Sequence, residues 1–251
     1  PTGPPGPTGQ TGPQGPQGPS GQLQPSETVY IYDDFLYSTT SAVATSGVGT
    51  GGDTNWWQTA SNGASITPTL SSTSTVVGIV NLYLTSAVAG NYCQWSKNAG
   101  NMLLGQGLTT LEFRVSLPVY ASTGLYYCGL RSVITSPYTS FGSGICAVYQ
   151  PSVNANWGLR TSNGTSTTTN YTSVSGNTTA WLRITLSITT DGSSVTMYIN
   201  GTNAITNSTN LPANTTRLYP QFSVSTSSAI TPSLYVDYFT MNVYFNSGNT
   251  R

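Results

Sequence analysis

The chain has 251 residues, of which only 6% are charged, and its seven basic side chains balance its seven acidic ones. A formal net charge of zero disfavours binding to nucleic acid or insertion beside an anionic membrane surface, because neutralising phosphates requires several Lys or Arg side chains on one face. Histidine is absent, which excludes a Ser-His-Asp or Cys-His catalytic arrangement and any imidazole metal ligand.

The first 21 residues carry glycine at every third position, and this period predicts a collagen-like stalk. Only a hydrogen side chain fits where each strand of a triple helix crosses the shared axis, and proline fills many of the other positions. A disordered Pro/Gly linker is the alternative, but a linker needs no strict period. We therefore expect a homotrimer held through Gly3, Gly6, Gly9, Gly12, Gly15, Gly18 and Gly21. Seven triplets form a marginal triple helix alone, so contacts further along the chain should help to hold three copies together.

A short polar hinge over residues 22–27 leads into a region that reads as β-strands separated by turns. In TTLEFRVSL, for example, Leu111 and Phe113 point to one side of a strand and Glu112 to the other. No stretch keeps helical periodicity over three turns. The fold class expected is all-β, a two-sheet antiparallel jelly-roll sandwich over residues 28–247, followed by a tail over residues 248–251.

Two further local patterns refine the fold. Asp191-Gly192 stands between two alternating runs and indicates a β-hairpin. The run VYIYDDF opens the domain and YVDYFTMNVYF closes it, and we expect the two to pair because each would cover the other's edge. This pairing brings the end of the domain close to the stalk. Asp237, in the closing run, is expected to be half buried on the same strand face as Phe239, with Arg183 as a candidate partner.

The ordered pieces DDF, LEFRV, AWLRITLSITTDGSSVTMYING and LYVDYF resemble a known family. They are similar to the concanavalin A-like (laminin-G-like) jelly-roll modules in fibre and appendage proteins of tailed bacteriophages, over residues 28–245. Fibres of this kind also carry short collagen-like repeats similar to GQTGPQGPQG. The resemblance implies a trimeric fibre on the outside of a virion, joined to other virion proteins at its N-terminal end and meeting the host surface at its tip.

The carboxylates give little support to catalysis, so the sequence predicts that the chain is not an enzyme. Glycoside hydrolysis needs two carboxylates set across a sugar, whereas only Glu27 and Glu112 accompany five aspartates. The clustered Glu-x-Asp-x-x-Glu strand typical of catalytic concanavalin A-like proteins is missing, and so is a phosphate-binding loop ending in Gly-Lys-Ser/Thr. No cofactor is expected.

Asp33 and Asp34 form the one pair of neighbouring carboxylates. Such a pair suits calcium, which prefers oxygen ligands. The alternative, which we favour, is a strand end whose aspartates accept hydrogen bonds from backbone donors or pair with an arginine.

Aromatic side chains provide the better binding hypothesis, since the chain has 16 Tyr and five Trp and sugars stack their C–H faces on aromatic rings. The predicted ligand contacts lie in or beside turns rich in Gly, Asn and Pro; they are Trp56, Trp57, Tyr138 and Trp157. As an alternative, the adjacent Trp56 and Trp57 would point to opposite sheet faces, so that at least one belongs to the core.

The leading hypothesis is a trimeric tail or head fibre whose jelly-roll tip adsorbs to glycan or protein on the host surface. Three weak sites on one stalk would act together through avidity. One alternative is a purely structural decoration fibre of the virion without a specific receptor. Another is a bacterial or spore-surface collagen-like adhesin, or a secreted collectin-type lectin.

Overall fold

The structure is a computed structural model that describes residues 28–33, 56–61, 79–84, 88–97, 102–119, 122–132, 141–176, 179–227 and 231–245. The stalk, hinge and tail expected from the sequence lie outside these ranges. The collagen-like stalk and the domain boundaries therefore stay predictions.

Fourteen strands account for most of the described residues. They are β1 (Thr28–Asp33), β2 (Trp56–Ser61), β3 (Val80–Tyr83), β4 (Tyr92–Lys97), β5 (Gly107–Ser116), β6 (Gly124–Arg131), β7 (Ser143–Tyr149), β8 (Asn156–Asn163), β9 (Thr167–Ser175), β10 (Leu182–Ile188), β11 (Val195–Ile199), β12 (Thr202–Asn207), β13 (Tyr219–Thr226) and β14 (Ser233–Phe245).

These strands form two antiparallel sheets, which confirms the all-β sandwich. The first sheet has the order β1-β14-β5-β10-β11-β12, with β3 also pairing with β14. The second sheet has the order β2-β4-β13-β6-β7-β8-β9. One main core of buried side chains lies between the sheets and draws on both of them.

The strand alternation read from the sequence is present in the structure. On β5, Leu111, Phe113 and Val115 are fully buried, whereas Glu112 and Arg114 on the opposite side are half-buried. This is the expected result for a sheet that buries one face and turns the other to solvent.

The opening and closing strands of the domain pair as predicted. β1 runs antiparallel to β14, with Thr28 opposite Tyr244 and Asp33 opposite Phe239. β1 is the last strand on its side of the first sheet. The domain therefore begins and ends at the same edge of the first sheet, next to the point where residues 1–27 join it.

The hairpin at Asp191-Gly192 is also present, although its loop is longer than two residues. β10 and β11 pair up to Ile188 opposite Val195. Gly192 has a φ of 73°, a left-handed conformation that glycine adopts without steric cost. The Asp191 carboxylate accepts a hydrogen bond from the backbone N–H of Ser193 and others from nearby hydroxyls, which together lower the pKa of Asp191 to about 2.

The predicted surroundings of Asp237 were wrong in two respects. The register between β14 and β5 shifts between Val236 and Tyr238, and such a bulge reverses the side to which following residues point. Phe239 is therefore buried in the core, whereas Asp237 lies on the outer face. Its partner is Arg114, at 2.7 Å, instead of Arg183.

Phe222 of β13 connects the two sheets. Its ring makes edge-to-face contacts with Phe113 and Phe239 of the first sheet, with ring centroids 5.8 Å and 5.9 Å away. It also packs against Trp95 of its own sheet. Edge-to-face geometry is favourable for aromatic pairs and adds to the free energy gained from burying the rings.

Replacing Phe222 by alanine should therefore destabilise the fold strongly. We expect Phe222→Ala to lower the free energy of unfolding by about 3–5 kcal/mol, because it leaves a cavity between the sheets. Val153→Ala is the control, since Val153 is 60% exposed and should change stability by less than about 0.5 kcal/mol. Urea titration followed by tryptophan fluorescence measures both values, and equal midpoints for the two variants would contradict the assigned role of Phe222.

Candidate functional site: the polar face of the second sheet

The second sheet carries a cluster of polar side chains on the side turned away from the core. Phe222 and Val224 of β13 point into the core, so Gln221, Ser223 and Ser225 between and beside them point outwards. We call the outward-pointing cluster the polar face; its members are Gln94 of β4, Tyr127 and Arg131 of β6, Arg160 of β8, and Gln221, Ser223 and Ser225 of β13.

Strand register brings these residues side by side in rows. Ser223 lies opposite Gln94 on one side and opposite Tyr127 on the other. The next row places Gln221 opposite Gly129 of β6. A Cβ at Gly129 would collide with the backbone carbonyl of Ile145 on β7, so glycine is required there for the strands to approach.

Arg131 is at the centre of the polar face and is 0% exposed. Its Nη1 donates to the side-chain oxygens of Gln94 and Gln221, both at 3.4 Å, and its Nε donates to the carbonyl of Phe141 at 3.0 Å. The guanidinium also lies 5.0 Å from the centre of the Phe141 ring. Burial lowers the pKa of Arg131 from its usual value, because a charged group loses solvation when water is excluded.

Tyr127 links the two arginines of the face. Arg160 donates a hydrogen bond from Nη1 to the Tyr127 hydroxyl and another from Nε to the Thr169 hydroxyl. Both guanidinium groups lie over the Tyr127 ring, Arg131 at 5.8 Å and Arg160 at 5.4 Å from its centre. Burial nevertheless dominates and raises the pKa of Tyr127 to about 12, so the phenol keeps its proton at neutral pH.

Three polar groups of the face are buried without a hydrogen-bond partner. They are the hydroxyls of Ser223 and Ser225 and the side-chain nitrogen of Gln94, and all three residues are 0% exposed. A buried donor or acceptor left unpaired costs about 1–3 kcal/mol. Unpaired groups of this kind are rare in native proteins and call for an explanation.

The charged side chains that the structure describes on the second sheet are basic. Arg131 and Arg160 belong to the second sheet, whereas the described carboxylates, Asp33, Glu112, Asp191 and Asp237, lie in the first sheet or in its β10–β11 loop. The polar face thus offers guanidinium, amide, hydroxyl and phenol groups together. Such a set can hydrogen-bond several neighbouring oxygen atoms of one ligand.

The outer face of the first sheet is also polar, and several of its charged side chains have partners within the protein, although the side-chain oxygens of Asn81 and Ser233 are buried there without a partner. Glu112 accepts hydrogen bonds from the hydroxyls of Tyr238, at 2.7 Å, and Thr185, at 3.1 Å. Arg114 pairs with Asp237 and lies 5.0 Å from the centre of the Trp181 ring. Burial and the hydrogen bond to Glu112 raise the pKa of Tyr238 to about 12. This network links β5, β10 and β14, and we interpret it as stabilising the first sheet.

The structure does not test whether the residues predicted as ligand contacts lie together. Trp56 and Trp57 begin β2, the edge strand of the second sheet, and the register shifts between Trp56 and Gln58. Simple alternation therefore does not apply to this pair, and their roles stay predictions. Tyr138 lies outside the described residues.

Trp157 requires a correction, because it was predicted to be an exposed aromatic in or beside a turn. The structure places it on β8 with its side chain 0% exposed. Its ring packs 5.6 Å from that of Tyr149 within the main core. The sequence NANWG is typical of a turn, but β8 begins at Asn156, one residue before Trp157. Trp157 is therefore a core residue of a strand.

The calcium hypothesis stays a prediction. Asp33 is the last residue of β1, and Asp34 lies outside the described residues. Among the residues that the structure describes, no group of three or more Cys, Asp or Glu side chains is placed to hold a metal ion. The same residues contain no helix long and apolar enough to cross a membrane.

Sequence reasoning missed the polar face, although part of its signal is visible. In QFSVS, polar and apolar residues alternate over Gln221–Ser225, which indicates one outward polar side. Nothing in that pattern shows that Arg131, 90 positions away along the chain, hydrogen-bonds to Gln221. The burial of the serine hydroxyls is likewise set by long-range packing.

No protein-family model matches the chain, and no curated protein matches it in sequence. Solved structures do match its fold. A protein of unknown function from Shewanella oneidensis MR-1 has a TM-score of 0.52 and 14% identity, over 89% of this chain and 90% of its own. A structure reported for the endo-acting O-glycanases with which human gut microbiota initiate mucin breakdown has a TM-score of 0.56 and 13% identity, over 86% and 99%.

A native glycosidic hydrolase also matches, with a TM-score of 0.54 and 10% identity over 84% of this chain and 94% of its own. At these identities the similarity shows the fold, a jelly-roll sandwich.

The prediction that the chain is not an enzyme is wrong, because this fold also carries glycan-cleaving enzymes. Missing histidines and carboxylate clusters exclude particular mechanisms and not catalysis as such.

The three cysteines should be unreactive in the folded chain. Cys93, Cys128 and Cys146 are all 0% exposed and unpaired. Burial raises the pKa of each, to about 12 for Cys146, and the thiolate is the reactive form. We expect a thiol-specific reagent at mildly alkaline pH to label no cysteine in the native protein and all three in urea. Rapid labelling of one thiol in the native state would show that its packing is looser than described.

Proposed function

We propose that the chain is the glycan-binding head of a trimeric fibre and that the polar face of the second sheet is its binding surface. The observation that carries the proposal is the set of buried, unpaired groups at Gln94, Ser223 and Ser225 beside Arg131. The contacts that bury them leave their hydrogen-bonding capacity unused. A ligand dense in hydroxyl groups would satisfy it.

The chemistry of the face suits a sugar better than an apolar ligand. Gln94 and Gln221 each combine an acceptor with donors, and serine hydroxyls act as both. The rings of Tyr127 and Phe141, 5.0 Å apart, give apolar surface beside these groups. A glycan reaching the face must displace the contacts that now exclude water from it. Other proteins of this fold act on glycans, which is consistent with the proposal.

The fibre part of the proposal is supported by the sequence. The glycine period over residues 1–21 favours three chains around one axis, and the resemblance to phage appendage modules favours a place on the outside of a virion. Three heads on one stalk raise overall affinity by about 10²–10⁴ when their sites can engage together. The alternative of a decoration fibre without a receptor differs in one respect, since it requires no ligand on the polar face.

Removing the unpaired hydroxyls should separate binding from stability. We expect Ser223→Ala/Ser225→Ala to leave the urea midpoint unchanged or slightly raised, because two unsatisfied buried groups disappear. The same variant should bind at least about tenfold more weakly to the polysaccharide that the full-length chain binds best on an array of microbial surface glycans. Ser187→Ala, on the outer face of the first sheet, is the matched control. Titration calorimetry measures the affinities.

Two outcomes would reject glycan binding at the polar face. One is a failure of the wild-type chain to bind any polysaccharide of the array, which would favour the decoration fibre. The other is unchanged affinity in the double serine variant, which would move the site elsewhere, with Trp56, Trp57 and Tyr138 as the next positions to test by alanine substitution.

The stoichiometry has its own test. Light scattering of the full-length chain should give three times the chain mass of 26.4 kDa. Gly12→Ser should lower the melting temperature of the trimer, because no side chain larger than hydrogen fits at the axis. Gln10→Ser, at a position between glycines, is the control and should have a smaller effect. A monomeric mass at all concentrations would reject the fibre.

A further inference from the structure

Four of the nine large apolar side chains that are exposed among the described residues gather at one corner of the first sheet. Tyr30 and Tyr32 of β1 are 62% and 53% exposed, Leu108 of β5 is 37% exposed and Tyr244 of β14 is 36% exposed. We call these four residues the tyrosine patch. Five more exposed large apolar side chains are scattered over the other described strands and loops.

Strand register makes the patch continuous. Tyr244 lies opposite Thr28 on one side and opposite Leu108 on the other, and Tyr30 lies opposite Asn242, two residues from Tyr244. The rings of Tyr30 and Tyr32 are nearly parallel, with centroids 6.4 Å apart and planes at 11°. Contiguous exposed apolar surface of this kind marks interaction sites on otherwise polar proteins.

We propose that the tyrosine patch is the contact through which the heads of the trimer pack against one another. The inference rests on the proposed trimer. Its occupant is a second copy of this chain, because the patch lies on the first strand of the head, directly after the glycine-rich run.

Chain length fixes how far the patch can lie from the trimer axis. Six residues lie between Gly21 and Thr28, and the seven steps from one to the other span at most about 25 Å when fully extended. Three strands of a triple helix share one axis, so the three β1 strands must begin within that distance of it. The patch residues on β1 follow within the next four positions, so they lie at most about 14 Å further along the strand.

The composition of the patch suits a contact between identical surfaces. It contains three tyrosines and one leucine and no charged residue, so bringing copies together creates no repulsion between like charges. Tyrosine is enriched at protein interfaces because its ring is apolar while its hydroxyl stays solvated or bonded. At a threefold axis the three copies of the patch converge, so each contacts the same residues of its two neighbours and the ring closes. This contact supplies the stabilisation that seven Gly-X-Y triplets lack on their own.

Crosslinking tests the inference directly in the full-length chain. The native cysteines are all buried, so a new surface cysteine is the reactive one. We expect Tyr30→Cys, treated with a short bis-maleimide, to give covalent dimers in a denaturing gel. Tyr198→Cys is the matched control, because Tyr198 is 36% exposed on the outer face of the same sheet but lies four strands from β1. It should stay monomeric in the gel.

A second variant measures the contribution of the patch to assembly. Tyr30→Ser/Tyr32→Ser should weaken the trimer by at least about tenfold in its dissociation constant, with no change in the urea midpoint of the head, since both side chains are exposed. Tyr198→Ser should leave the dissociation constant unchanged.

Three other outcomes of these experiments would overturn the inference, each for a different reason. A trimer in which Tyr30→Cys stays uncrosslinked shows that the heads do not meet through the patch. A trimer unaffected by the double serine variant, but no longer able to bind polysaccharide, assigns the patch to a glycan instead. A monomeric wild-type chain would reject both this inference and the proposed fibre. Glycan binding at the polar face is tested separately, by the serine variants.

Discussion

The inward packing of Phe222 is the constraint on which the rest of the molecule depends. Its ring contacts Phe113 and Phe239 across the sandwich, so it fixes both the distance between the sheets and the side to which β13 turns its alternate residues. With Phe222 inside, Gln221 and Ser223 have to point outwards, because a shift of one residue would exchange the two faces of the strand. The core and the polar face are therefore two consequences of one register.

Much of the fold could be predicted from the sequence because period-two alternation is a local signal. It located β5, β10 and the pairing of β1 with β14. The errors arose where the signal is interrupted. A bulge after Val236 turned Asp237 to the outside, and β12, with sequence TNAITN, carries too few apolar residues to be recognised. Trp157 was taken for a loop residue because glycine and asparagine surround it.

The polar face could not be predicted in the same way, since its members are distant along the chain. Arg131 reaches Gln94 over 37 positions and Gln221 over 90, and only the strand order β4-β13-β6 makes these residues neighbours. The low charge content of the chain also made the polar face hard to recognise in the sequence. With seven basic residues in 251, two arginines on one sheet do not form a recognisable cluster in the sequence. Tertiary pairing creates the site.

Both outer faces of the sandwich combine paired polar groups with buried unpaired ones. On the first sheet, Glu112 and Arg114 find partners within the protein. On the second sheet, Ser223 and Ser225 do not, and folding tolerates their cost of about 1–3 kcal/mol each. Asn81 and Ser233 of the first sheet also keep a buried oxygen without a partner, so what distinguishes the second sheet is that its unpaired groups lie beside the guanidinium of Arg131. The faces also point in opposite directions, so a contact between copies through the tyrosine patch would leave all three polar faces directed away from the axis. Assembly and binding then do not compete for the same surface, which is what a trimeric head needs if its three sites are to engage one host surface together.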